Sequence, residues 1–249
     1  MPTVAVAGGT GTLGGEVATA LEARGADVRR LSRSSPTHPI DLATGAGLRE
    51  ALDGCDVVVD ASNGPPSAKA RTVLVDGGHR LSEAAKAVGV SHHVCASIVG
   101  IEDTPMAYYR VKLEQEGVVK GGVIPWTIVR ATQFHELLDG LLSGAARWRV
   151  APAASARLQP VAAAEVGSYV ADVALGSPSG RTQTIAGPDV HTLRELAAIR
   201  GRVTGKSTLP VPVPLPGKLG RALRAGALTN ATPDVRGQIT YEAWLGRQA

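Results

Sequence analysis

The stretch GGTGTLGG, residues 8–15, constrains the fold more than any other part of the chain. It follows TVAVAG, a short apolar run that reads as a buried strand. It precedes GEVATALEARG, where Val17 and Leu21 carry helical spacing and Gly25 closes the segment. The glycines satisfy Gly8-x-x-Gly11-x-x-Gly14 and also Gly9-x-Gly11-x-x-Gly14. In a strand–turn–helix of this kind one glycine permits the tight turn and another lets a pyrophosphate approach the backbone. A third lets helix and strand pack closely. The helix N-terminus adds free N–H groups and the positive end of a dipole. Gly8, Thr10, Gly11, Thr12, Leu13 and Gly14 are therefore the candidates to hold a dinucleotide.

The alternation begun there continues. DVRRLSR (27–33), HPIDL (38–42), CDVVVDAS (55–62), SHHVCASIVG (91–100) and PWTIVRAT (125–132) read as strands. GLREALDG (47–54), the stretch through LSEAAKAVG (81–89) and the segment TPMAYYRVKLEQE (104–116) read as helices between them. This order predicts an α/β fold, a Rossmann-type doubly wound parallel sheet with helices on both faces. After about residue 133 the pattern loosens. FHELLDGLL, EVGSYVADVALG and TLRELAAIRGRVTG read as helices and RTQTIAG as a strand. LPVPVPLPG, with prolines at 210, 212, 214 and 216, reads as an extended edge segment or a polyproline-like connector. Residues 1–249 are expected to form a single domain, with residues about 133–160 and 188–249 contributing a small C-terminal substrate lobe.

Composition narrows the partners. No run approaches the ~20 apolar residues of a spanning helix, and the N-terminus enters an apolar strand without a basic leader. A cytoplasmic protein with no membrane partner is the expectation. Cys55 and Cys95 lie in separate apolar runs and read as buried thiols in a reducing compartment. Residues 1–144 hold 13 Lys/Arg against 16 Asp/Glu, whereas residues 145–249 hold 13 against 6. The basic half suits an anionic ligand. Aromatics make up only 3% of the chain and the bases are spaced singly, so no nucleic acid is expected. His92 and His93 open a strand with no ligand set nearby, so no metal site is expected.

The end of the second strand bears on the cofactor. A free ribose 2′-hydroxyl is usually held by an acid about 20 residues beyond the glycines. The corresponding stretch is LSRSS (31–35), with no acid and with Arg33 between Ser32 and Ser34. A guanidinium beside hydroxyls suits a 2′-phosphate, so NADP is the expected cofactor, with NAD possible. Further along, Tyr108 stands four residues before Lys112, one helical turn apart on one face. Tyr109 competes for the same role, but the residue four beyond it is Leu113. The pair reads either as a phenol beside a cation or as ordinary helix surface.

With GGTGTLGG at the start and Ser97, Tyr108 and Lys112 in order, the chain resembles the atypical short-chain dehydrogenase/reductases, and specifically the NmrA-like branch. The resemblance spans essentially the whole chain. It is strongest over residues 1–135, in IDL, DVVVDAS and SIVGIEDTPMAYYRVKLEQE. It implies NAD(P) at the carboxyl edge of the sheet, Asp41 and Leu42 near the adenine, and Ala61, Ser62 and Asn63 along the ribose and pyrophosphate. It implies that Gln133 and Phe134 border the nicotinamide and substrate. His135 is a candidate for the same pocket, with a surface position as its alternative, and Trp148 is a candidate wall. Glu165, which begins an apolar helix, reads as an N-terminal helix charge. In active relatives Ser97 would bind the substrate carbonyl, Tyr108 would exchange the proton and Lys112 would lower the phenol's pKa. The expected function is an NAD(P)-dependent oxidoreductase acting by hydride transfer on a carbonyl, quinone or polycyclic aromatic small molecule, as a monomer or homodimer. The alternatives are a non-catalytic NAD(P)-sensing regulator and an oxidative tailoring enzyme, an unusual monooxygenase, of secondary metabolism.

Overall fold

The computed structural model describes residues 1–64 and 69–248. In chain order the elements begin with β1 (Thr3–Ala7), α1 (Thr12–Ala23), β2 (Asp27–Leu31), α2 (Leu48–Leu52) and β3 (Val57–Asp60). Next come α3 (Lys69–Arg71), a π-helical turn at Thr72–Asp76, α4 (Gly77–Ala87), β4 (His92–Ile98), α5 (Ala107–Gly121) and β5 (Trp126–Ala131). Then follow α6 (His135–Ala146), β6 (Val150–Ala153), β7 (Arg157–Leu158), α7 (Ala163–Leu175), β8 (Thr182–Ala186) and β9 (His191–Thr192). The last elements are α8 (Leu193–Thr204), β10 (Leu209–Pro212), α9 (Gly217–Ala225), β11 (Val235–Arg236) and α10 (Tyr241–Gly246).

Seven strands form one sheet in the order β11-β8-β5-β4-β3-β1-β2. The strands run parallel, and helices follow them as crossovers, which makes this a Rossmann-type α/β fold. Val57, Val58 and Val59 are all buried, as β-branched residues are in a strand covered on both faces. The register lines up the strand ends. Ala7 pairs with Leu31 and with Asp60, and Asp60 pairs with Cys95. The chain therefore leaves β1, β2 and β3 at one edge through Gly8, Ser32 and Ala61, and Ser97, the penultimate residue of β4, lies toward the same edge.

The polypeptide divides into two compact units. The first holds residues 1–97, 107–130 and 166–183, and the second holds residues 98–106, 131–165 and the chain from Thr184 onward. In the first, Leu31, Leu42, Leu48, Leu52, Val58 and Leu81 share one apolar cluster. In the second, Leu138, Leu142, Leu158, Leu196 and Tyr241 form the core.

One sequence expectation changes and another holds. HPIDL is not a strand. Only isolated bridges form there, Ser32 to Pro39 and Asp41 to Ala46. Pro39 has no N–H to offer a ladder, and Asp41 turns the chain by accepting from Ala43 N at 2.9 Å. The proline run does become an extended edge: β10 pairs with β6 in a separate two-stranded ribbon.

Candidate functional site

The glycine turn is built into the sheet edge. Gly8 N and Gly9 N both donate to Leu31 O, at 2.9 and 3.1 Å, and Gly11 N donates to Gly8 O at 2.9 Å. Gly8 sits at φ 76°, where a side chain is strained, and a Cβ there would stand 2.7 Å from Ala61 O. A Cβ on Gly14 would stand 2.2 Å from Gly8 O. These glycines let the turn and α1 close against the ends of β1 and β3. The first turn of α1 holds no acid, and Gly11, its N-cap, supplies no side-chain cap. Thr10, Gly11 and Thr12 are exposed and Leu13 is half-buried, so uncapped N–H groups open to solvent at this edge.

Arg33 lies just past β2, next to the Leu31 carbonyl that anchors Gly8 and Gly9. Ser34 N donates to Ser32 Oγ at 3.2 Å, folding the hydroxyls around it. Arg33 is exposed and has no hydrogen-bond or ion-pair partner among the described residues. The nearby Arg30 is committed, because its Nη2 meets Glu22 Oε2 at 2.9 Å. Leu42 is buried, and a Cβ on Gly77 would stand 2.9 Å from its own. Ala61 N donates to Ala7 O at 3.0 Å, and Ser62 N donates to Asp60 Oδ1 at 3.0 Å. The Ser62 hydroxyl is buried with no hydrogen-bond partner.

Ser97, Tyr108 and Lys112 all belong to the β4–α5 region, but their polar ends are engaged separately. Tyr108 Oη donates to Asn63 Oδ1 at 2.5 Å. Lys112 is buried and donates to Ala96 O at 2.8 Å and to Gln115 Oε1 at 2.7 Å. Gln115 Nε2 then donates to the buried Asp60 Oδ2 at 2.8 Å. The expectation that Lys112 lowers the phenol's pKa is not met. Burial, with Tyr109 alongside, pushes Tyr108 up to about 12. Ser97 Oγ is buried with no well-formed hydrogen bond, yet it lies near enough to the Glu116 carboxylate to favour its ionised form. Burial raises the Glu116 pKa, but Arg130, Ser97 and Lys120 together hold it below the ordinary carboxylate value. The Arg130 contact is bidentate, Nε to Oε1 at 2.8 Å and Nη2 to Oε2 at 2.7 Å.

The sequence reading missed Asp60, Gln115, Glu116 and Arg130. A signal was present: Lys112, Gln115 and Glu116 fall at i, i+3 and i+4, with Val119 completing the same face. A face that mixes cation, amide and acid with valine is a buried polar network when the helix packs on a sheet.

The expected substrate residues lie in the second unit, and the structure redistributes them. Gln133 is a brace: Nε2 donates to Leu228 O at 3.0 Å, and Oε1 accepts from Gln159 N at 3.1 Å. Phe134 is half-buried and bridges to Val161 as α6 begins. His135 is neither surface nor pocket wall. It is fully buried, with its ring 5.7 Å from both Tyr241 and Trp244. Its Nε2 donates to Ile239 O at 2.9 Å, and burial lowers its pKa. Trp148 is 82% exposed. Glu165 sits in the first turn of α7, but its carboxylate accepts from Gln238 N at 2.5 Å and Ile239 N at 3.2 Å and so anchors the C-terminal segment.

His92 and His93 are both buried. His92 Nε2 lies 3.0 Å from Thr127 Oγ1, and His93 Nδ1 lies 3.5 Å from Ser82 Oγ. Among the described residues no group of His, Cys, Asp and Glu is arranged to hold a metal ion. Cys55 and Cys95 are buried free thiols, and burial pushes Cys95 up to about 12.

A glycine turn between the first strand and first helix of a parallel sheet defines a Rossmann-type protein. Within that class the chain belongs to the NmrA-like family, whose model matches residues 1–221. It is 31% identical over 223 residues to a (4-alkanoyl-5-oxo-2,5-dihydrofuran-3-yl)methyl phosphate reductase of Streptomyces griseus, covering 82% of this chain and 74% of that protein. Among solved structures it is similar to an NADPH-dependent quinone oxidoreductase of Escherichia coli complexed with NADPH. That match has a TM-score of 0.82 at 18% identity, covering 98% of this chain and 99% of the other. A Citrobacter triphenylmethane reductase complexed with NADP(H) matches with a TM-score of 0.75 at 18% identity, over 99% of each chain. These two likenesses concern the fold.

Proposed function

We propose that the protein is an NADP-dependent reductase that delivers hydride to a quinone or other conjugated carbonyl compound. The observation that carries the cofactor is the pairing of an uncapped α1 N-terminus with a partnerless Arg33, both tied to the Leu31 carbonyl through Gly8 and Gly9. The residues present fit the group. Gly8, Gly11 and Gly14 hold a backbone surface for the pyrophosphate, with Thr10, Thr12 and Leu13 beside it, and Arg33 with Ser32 and Ser34 takes the 2′-phosphate. Asp41 and Leu42 border the adenine, and Ala61, Ser62 and Asn63 border the ribose side. The unpartnered Ser62 hydroxyl gains a partner there. NAD would lack the Arg33 contact.

When bound, the reduced nicotinamide supplies the hydride. The protein's part is the proton. A phenol held near 12 is protonated at neutral pH, so Tyr108 acts as a general acid toward the developing oxyanion, in the reductive direction. The Ser97 hydroxyl, which makes no well-formed hydrogen bond, donates to the same oxygen. Lys112 acts through the Ala96 carbonyl and Gln115, fixing the end of β4 rather than the phenol. Relatives support the acceptor class. The Streptomyces relative is named for an acyl-substituted unsaturated lactone, and structural neighbours are named for quinone and triphenylmethane reduction.

The test is NADPH oxidation followed at 1:1 cofactor loading across a panel of naphthoquinones, anthraquinones and enones, with UDP-sugars as the contrasting set. Turnover of a quinone or enone supports the reading, and saturable binding of sugars with none of the quinones overturns it. A second reading, a non-catalytic NAD(P) sensor, is favoured by one observation: the Lys112 ammonium is spent on a buried network and not on Tyr108. Tight NADPH binding without oxidation by any acceptor selects that reading.

A further inference from the structure

The second unit presents an apolar surface that its own fold leaves uncovered. β10 runs beside β6, with Leu209 against Val150 and Val211 against Pro152, and Val213 N donates onward to Ala153 O. Leu209, Val211 and Val213 alternate along the strand, so they stand on one face of the ribbon. All three are exposed, Leu209 by 69%. Leu209 N donates to Arg149 O, which puts the start of this strip beside the exposed Trp148. α6 leads toward the same tryptophan: its exposed Leu137 and Leu141 lie one turn apart, and the helix ends at Ala146, two residues before Trp148.

The outer edge of β10 offers no donor for strand addition. Leu209 and Val213 point their N–H groups at β6. The alternate residues, Pro210 and Pro212, bring no N–H to the outer edge. A second copy or an extended peptide would find no donors there, which leaves the apolar face as the available surface.

Cations border that face. Arg147 and Arg149 flank Trp148, and Arg147, Arg200 and Lys206 line an open cavity of about 440 Å³. Arg200 Nε is neutralised by Asp139 at 2.8 Å, whereas Arg147 and Lys206 have no carboxylate partner among the described residues. Gly140 and Gly144, also on this cavity, have no atom against which a Cβ would pack. Packing does not require glycine there, and glycine weakens a helix interior. Its effect is to keep the cavity floor at the level of the backbone. From residue 145 onward Lys and Arg number 13 against 6 Asp and Glu.

We propose that this face docks on the surface of an anionic lipid bilayer, with Trp148 and the Leu209–Val213 strip at headgroup depth and a lipid phosphate in the cavity between Arg147 and Lys206. Exposed tryptophan and aliphatic side chains ringed by cations suit the boundary between headgroups and acyl chains. Cations near such a surface are drawn to its negative potential. No helix among the described residues is long and apolar enough to cross a membrane, and this mode needs none. The expectation of no membrane partner rested on that same absence of a spanning run, which does not bear on a surface-lying patch.

The full chain is sedimented with vesicles of phosphatidylcholine alone and with vesicles that also contain phosphatidylglycerol. Partition is expected onto the anionic vesicles only, and it should weaken as salt rises. Arg147→Gln and Lys206→Gln should each lower it by roughly five-fold, and Trp148→Ala should lower it further. All three side chains are exposed, so the variants should melt with the wild type. Free inorganic phosphate should compete weakly. Equal partition onto both vesicle types, partition onto neither, or an unchanged Trp148→Ala variant overturns the proposal. A concentration-dependent dimer that Trp148→Ala dissociates also overturns it, in favour of a second copy of the chain.

Discussion

Tyr108 and Asn63 are joined by a 2.5 Å hydrogen bond from phenol to amide oxygen, which ties the first turn of α5 to the segment leaving β3. The contact holds the phenolic proton outward from the buried Lys112 network and keeps the hydroxyl at the carboxyl edge of the sheet. Burial raises its pKa, so the group stays protonated at neutral pH and carries the proton that reduction requires.

Tyr108→Phe should therefore bind NADPH as the wild type does and lose about 10²–10⁴-fold in turnover on a carbonyl acceptor. Calorimetric titration of NADPH into the variant separates a lost proton donor from a disturbed cofactor site. Unchanged turnover in Tyr108→Phe would assign the tyrosine to helix surface.

The pH dependence of stability follows from the buried histidines. Burial, reinforced by the neighbouring His93, lowers His92 from 6.5 to about 4. Between those values the unfolded chain holds a proton that the folded chain does not. Stability is therefore complete above 6.5 and declines as pH falls toward 4, by about 3 kcal/mol from this residue. His93 and His135 shift in the same direction. Urea midpoints across that window should show His92→Gln with a shallower decline than the wild type, since Gln still reaches Thr127. Parallel curves for the two proteins would refute the assignment.

Gly14 and Gly15 make a sharper contrast, because they are adjacent and look alike in the sequence. A methyl group on Gly14 would overlap Gly8 O at 2.2 Å, whereas one on Gly15 meets nothing within 4 Å. Gly14→Ala should destabilise the protein and abolish dinucleotide binding. Gly15→Ala should stabilise it by roughly 0.5–1 kcal/mol, as alanine does in a helix. Thermal melts of the two variants, with and without NADPH, test this. Equal behaviour would mean that the turn is not as drawn.

The parallel sheet was legible because strand and helix periods alternate cleanly from Thr3 to Ala131, and because glycine placement has few physical readings. HPIDL misled because two apolar residues around Asp41 mimic a strand, while Pro39 and the Asp41 turn prevent a ladder. His135 was illegible for a different reason. Its partners, Ile239, Tyr241 and Trp244, lie about a hundred residues away in the chain, and no local period reports that kind of burial. Gln115 differs: its spacing from Lys112 marks a polar helix face, but its partner Asp60, 55 residues distant, has no local signal. Short strands such as β7, β9 and β11 hold 2 residues each and carry no periodicity to detect.

Cofactor choice rests on Arg33, and its partnerless state makes the prediction clean. Arg30 is the alternative cation on the same strand, but Glu22 and Thr19 already occupy its guanidinium. Removing Arg33 disturbs no internal contact, so Arg33→Ala should melt with the wild type. Its affinity for NADPH should fall by about 1.5–3 kcal/mol, the range for a charge-assisted hydrogen bond, or roughly ten- to hundred-fold. Affinity for NADH should hardly change, since the 2′-hydroxyl offers no charge to lose. Arg30→Ala should show the opposite pattern, with a small effect on either cofactor. Calorimetric titration of both cofactors into the three proteins separates these outcomes. Equal wild-type affinity for NADPH and NADH would remove Arg33 from the site and leave the choice of dinucleotide to the glycine turn alone.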